Sequence, residues 1–111
     1  MAFQRITPAK LAQAAVTAGT TTIYTVPALT RTMVKELDIC NTTAGTLTLN
    51  VHLVPSAGSA TTANALFYGA SISANTTLQW SGLQVLNAGD TIQVQGSGLG
   101  LTINASGGEA T

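Results

Sequence analysis

The chain is short of charge. Charged residues are 7% of its 111, with four Lys and Arg against four Asp and Glu, where roughly a quarter is usual for a globular protein. No basic field exists to collect phosphates, so neither nucleic acid nor an anionic membrane is expected as a partner. Cys40 is the one cysteine, which rules out an intramolecular disulfide. No apolar run approaches the ~20 residues of a membrane span. The opening stretch MAFQRITPAKLAQAAVTAG is broken by Arg5, Pro8 and Lys10 and is not expected to be a secretory signal.

What is present is a neutral, strand-forming composition. Hydrophobic residues are 45% of the chain, and the polar remainder is mainly Thr, Ser, Asn, Gln and Gly, which argues against disorder. The length suits one domain spanning 1–111, enough to bury roughly two-thirds of the surface that the unfolded chain exposes. Zero net charge leaves little repulsion between copies and favours self-association.

The clearest pattern is at 43–55, TAGTLTLNVHLVP, where Leu47, Leu49, Val51 and Leu53 alternate with Thr46, Thr48, Asn50 and His52. Period-two alternation predicts a half-buried strand. Similar runs predict strands at about 11–17, 21–26, 32–41, 46–54, 76–81, 91–96 and 99–105. Residues 1–17 form an N-terminal arm and a possible first strand. Helix signals reach one turn at most, at 8–15 and 64–69. Ala18-Gly19-Thr20, Ala44-Gly45-Thr46 and Ala88-Gly89-Asp90 precede three of the strands and read as turns that need glycine's positive φ. The fold expected is all-β: one antiparallel β-sandwich, jelly-roll or Ig-like, of about seven to eight strands. Matching apolar faces predicts two hairpins. One pairs Leu37 with Leu49 and Ile39 with Leu47, with Lys35 opposite Val51 as the one mismatch; the other joins 91–96 to 99–105 through GSGLG.

Chemistry is harder to find. His52 is the only candidate imidazole base, and no Gly-x-Ser-x-Gly elbow accompanies it, so a solvent-facing or interface histidine is expected rather than a catalytic one. Cys40 and His52 fall too far apart for a shared metal, and Glu36 with Asp38 reads as a solvated pair. No catalytic residue, metal ligand or cofactor is expected. Trp80 shares a face with Leu78, which favours the core over a ligand. Phe67 and Tyr68 cannot both point inward, so one is expected to meet a partner, as is Phe3 in the arm.

Five segments, IYTVPA at 23–28, VKELDICNTT at 34–43, LTLNVHLVPSAG at 47–58, NALFYG at 64–69 and LQVLNAGDTIQV at 83–94, resemble the small β-sandwich structural proteins of tailed bacteriophages. The resemblance implies a non-enzymatic virion component, a capsid decoration or head-tail accessory protein. It would contact other capsid or tail subunits as a homo-oligomer, trimer or dimer, in particles assembled in the host bacterial cytoplasm. The alternative from a different class is a carbohydrate- or receptor-binding module with Trp80 and Tyr68 as its platform.

Overall fold

The structure, a computed structural model, describes residues 5–111; Phe3 lies outside them. Eight strands run β1 (Ile6–Val16), β2 (Thr21–Thr25), β3 (Arg31–Asn41), β4 (Leu47–Val54), β5 (Ala65–Ile72), β6 (Thr77–Leu86), β7 (Thr91–Gly96) and β8 (Leu101–Ala110). They form two four-stranded sheets, ordered β1-β8-β3-β6 and β2-β7-β4-β5, and every pairing is antiparallel. The expected β-sandwich is present, with jelly-roll strand order.

The order is that of one long ribbon folded over. The first four strands pair with the last four in reverse, β1 with β8, β2 with β7, β3 with β6 and β4 with β5. The contacts β3–β8 and β4–β7 then close the folded ribbon into two sheets. Only β4 and β5 are consecutive strands in one sheet; the other connections cross the sandwich. The phrases at 18–20, 44–46 and 88–90 lie on the crossings from the β1 sheet into β2, β4 and β7. Of their glycines only Gly89 has positive φ, +86°. At the other two crossings the glycine carbonyl is an acceptor, Gly19 O for the Thr17 and Thr21 hydroxyls and Gly45 O for Asn41 Nδ2 and the Thr43 hydroxyl.

Both expected hairpins are therefore corrected. β3 and β4 lie in different sheets, as do β7 and β8. Alternation fixes which face of a strand is apolar. It does not say whether the matching apolar face is bonded alongside or packed opposite, and here Leu37, Ile39, Leu49, Val51, Ile92, Val94, Leu101 and Ile103 are all 0–1% exposed in one core. Each such side chain contributes about 1.5–3 kcal/mol on burial. Within the stretch read as an arm and possible first strand, residues 6–16 are β1, bonded along β8 and extended by Arg5 and Thr111 through reciprocal backbone bonds. The strand missed altogether is β5, where the sequence showed only a helical-turn signal at 64–69. Gly69 at φ +67° and register shifts against β4 break its alternation, as a bulge does.

A second set of bulges explains the Lys35 mismatch. Against β8, Lys35 is the extra residue between Val34 and Glu36, and Leu11 is the extra residue between Lys10 and Ala12. Opposite Lys35, β6 inserts Gly82 and Leu83. The irregularities lie side by side across the β1-β8-β3-β6 sheet, and beyond them the in-out parity of β3 reverses. Val34 and Thr32 are buried, and Met33 moves to the outer side. Gly107 makes the line possible, because a Cβ there would sit 1.8 Å from the Met33 carbonyl oxygen.

Tyr24 ties the sheets together at that end. Its hydroxyl on β2 reaches across to Thr32 Oγ1 at 2.8 Å on β3 and donates to the Glu109 carboxylate on β8. Burial, then the hydrogen bond to Glu109, pushes its pKa up to about 12.

Two outcomes are expected. Gly107→Ala should lower stability by about 3 kcal/mol or more in chemical denaturation, since backbone must move. Tyr24→Phe should cost about 1–3 kcal/mol, because the Glu109 carboxylate and Thr32 hydroxyl lose their partner. A tyrosine with a raised folded pKa stabilises the fold while neutral, fully below pH 10, and that contribution is lost as pH rises toward 12. Denaturation curves between pH 9 and about 12 should show the alkaline loss in the parent and a shallower one in Tyr24→Phe.

Candidate functional site

Charge is divided between the two sheets. Lys10, Arg31, Lys35, Glu36, Asp38 and Glu109 all lie on β1, β3 and β8, whereas β2, β4, β5 and β7 contain no Lys, Arg, Asp or Glu. Asp90, between β6 and β7, serves the turn: its carboxylate accepts from the backbone N–H of Ser56 at 2.9 Å and of Asn87 at 2.8 Å. The molecule thus has one outer face bearing ionisable groups and one without acid or strong base.

The neutral face carries the polar half of the β4 alternation. Asn50 stands beside Gln95 and His52 beside Gln93, which is flanked in turn by Thr22 of β2. The face is partly roofed by the 55–64 loop, whose last three residues, Thr62–Asn64, form a 3₁₀ turn. His52 sits under that roof, 5% exposed, with Nδ1 2.9 Å from the Thr61 carbonyl oxygen and 3.0 Å from Asn64 Oδ1. Both neighbours are acceptors, so Nδ1 bears the hydrogen and donates. Of the two expectations, solvent-facing or interface, the solvent-facing one is thereby corrected: His52 is a buried pin for the loop. Asn64 completes the pin by accepting from Thr61 N–H and donating to the Ser59 carbonyl. Against this roof lies a hollow of about 260 Å³, bordered by Thr20, Asn50, His52, Thr62, Tyr68 and Gln95.

The charged face is creased. Along the line of bulges runs an open groove of about 930 Å³, with Lys10, Lys35 and Glu36 around a floor of small residues that includes Gly82, Ser106 and Gly107. Glu36 and Asp38 stand two residues apart on this face. Hydrogen bonding to Asp38, then its charge, raises the Glu36 pKa above the usual carboxylate range. Asp38 Oδ1 is buried with no hydrogen-bond partner among the described residues. Toward the β1 end the groove turns apolar, as Ile6 and Met33 close over Gly108.

The residues singled out from sequence do not meet at one place. Phe67 packs on the core, and Tyr68 stands out at 68% exposure on the neutral face. Trp80, opposite Leu37 on β6, packs against the core. Trp80 and Tyr68 therefore face different surroundings and make no common platform. Among the described residues no three His, Cys, Asp or Glu side chains converge as metal ligands would. Sequence reasoning missed the groove, although the Lys35 mismatch was its trace.

No family model matches this chain, and no curated protein does. Among solved structures the fold is similar to a chain of infectious bursal disease virus, Gx strain, at 16% identity and a TM-score of 0.50, over 96% of this chain and 30% of that one. It is similar also to a chain from the T13 particle of the same virus, at 14% identity and a TM-score of 0.51, with the same coverage. This chain thus spans about 30% of the length of the chains it matches. At such identities the likeness is one of fold.

If His52 is a pin and not a base, His52→Ala should free the roof. Amide hydrogen exchange across 56–64 should quicken, and stability should fall by about 1–3 kcal/mol as the Thr61 and Asn64 acceptors lose their donor.

Proposed function

We propose that the protein is a non-enzymatic structural component of a virus particle, acting through contacts with other virion proteins. The observation that carries this reading is the outer face of the β2-β7-β4-β5 sheet, built from Thr, Asn and Gln with no Lys, Arg, Asp or Glu on any of its strands. Short neutral side chains lose less rotamer entropy than lysine or glutamate when buried against a neighbour, and no charge has to be desolvated. The fold, similar to that of a chain from the T13 particle of infectious bursal disease virus, supports the same reading. The finer assignment, to a decoration or head-tail accessory protein of a tailed bacteriophage assembled in the bacterial cytoplasm, rests on the sequence segments that resemble that family.

A second reading, a glycan- or receptor-binding module, is favoured by one feature. Tyr68 projects beside the hollow bordered by Asn50, His52, Thr62 and Gln95, a neutral polar site with an aromatic rim. Trp80 has no part in it.

Mass spectrometry of purified particles of the encoding virus should find the protein in many copies, and purified protein should co-sediment with emptied particles. Its absence from particles together with a failure to co-sediment would overturn the structural role. Retention on a glycan array that Tyr68→Ala abolishes would establish the second reading in its place.

A further inference from the structure

We infer that two copies of the chain pair face to face through the outer surface of the β1-β8-β3-β6 sheet, about a two-fold axis beside Lys35 and Glu36. This deepens the virion reading and rests on it for its purpose, but not for its geometry. In a regular strand, successive side chains point to opposite sides. The bulge at Lys35 cancels that alternation, so an ammonium and a carboxylate from adjacent residues both border the outer groove.

Such a pair is self-complementary. A two-fold axis brings the same patch of two subunits together, so that residue i meets j and j meets i. Each Lys35 then meets the second copy's Glu36, with no like charges opposed. Lys10 lies across the groove from the same site.

The surroundings fit the same occupant. Ile6 is 65% exposed, Leu83 54% and Val85 50%. Val85 pairs with outward-facing Met33 on the strand alongside, and Ile6 and Met33 flank Gly108. These apolar side chains frame the charged centre, whereas the neutral face offers only Tyr68 of comparable size and exposure. Four strands about 4.8 Å apart and ten residues long present about 600 Å² per copy, near the lower limit for a specific dimer. A reversible dimer follows, and the zero net charge puts no long-range repulsion in its way.

Three proteins test the pairing: the parent, K35E and E36K. Sedimentation should give the parent twice the monomer mass and each single variant the monomer mass, with unchanged circular dichroism because both residues lie outside the core. Lys35→Glu opposes two acids to two acids, and Glu36→Lys two bases to two bases. Mixed in equal amounts, the two variants should regain the doubled mass, and native mass spectrometry should find one of each in the complex. A parent that is monomeric at every accessible concentration, variants that still pair with themselves, or a mixture that stays monomeric would each overturn the inference. A monomeric parent that co-sediments with particles would sink this pairing and leave the structural role intact; a doubled mass with no affinity for particles would do the reverse.

Discussion

The structure depends on a single dry layer between two sheets. Strands of both sheets give that layer their apolar side chains, and at its centre Leu37, Ile39, Val51, Ile92, Val94 and Ile103 are fully withdrawn from water. An ionised group has no place there, since burial without a partner would expel it or neutralise it. The polar groups that do enter are bonded. Asn41, fully buried at the end of β3, donates to the carbonyls of Gly45 and Ile72 and accepts from the backbone and hydroxyl of Thr43. Tyr24, Thr32 and Glu109 close the opposite end from both sheets.

The same constraint shapes the outside. Because the core takes the apolar half of each strand, the outer faces receive whatever the alternation leaves. For the sheet containing β4 that is Thr, Asn, Gln and one roofed histidine; for the other it is the strand-borne charge apart from Glu109, which turns in to Tyr24. The line of bulges then adjusts the charged face by one residue. It turns Val34 inward and Met33 outward, brings Lys35 beside Glu36 at the groove and opens the crease above Gly107. A bulge is a local event with a face-wide consequence, because each side chain beyond it changes side.

Two such surfaces on a thin sandwich suit a molecule that works by being held between others. The neutral face can be covered without desolvating charge, and the creased face carries a charge pattern that a second copy can complement. The histidine is engaged in holding a loop, and Glu36 sits beside Lys35 at the open groove.

The sequence by itself determined that the protein is built of strands, which residues of β4, β7 and β8 face the core, and that the outer face of β4 is uncharged. These follow from period-two alternation and composition, which are local. It showed Lys35 as a flaw in an otherwise regular pattern without showing what the flaw was. Partnership was decided only in three dimensions: that β3 bonds to β8 and β6 while packing across from β4, that β5 exists in spite of Gly69, and that Trp80 and Tyr68 look different ways. A strand's apolar face can be satisfied by a neighbour in its own sheet or by one in the opposite sheet. Only the closure of the whole ribbon, with β1 against β8 and β4 against β5, selects between them.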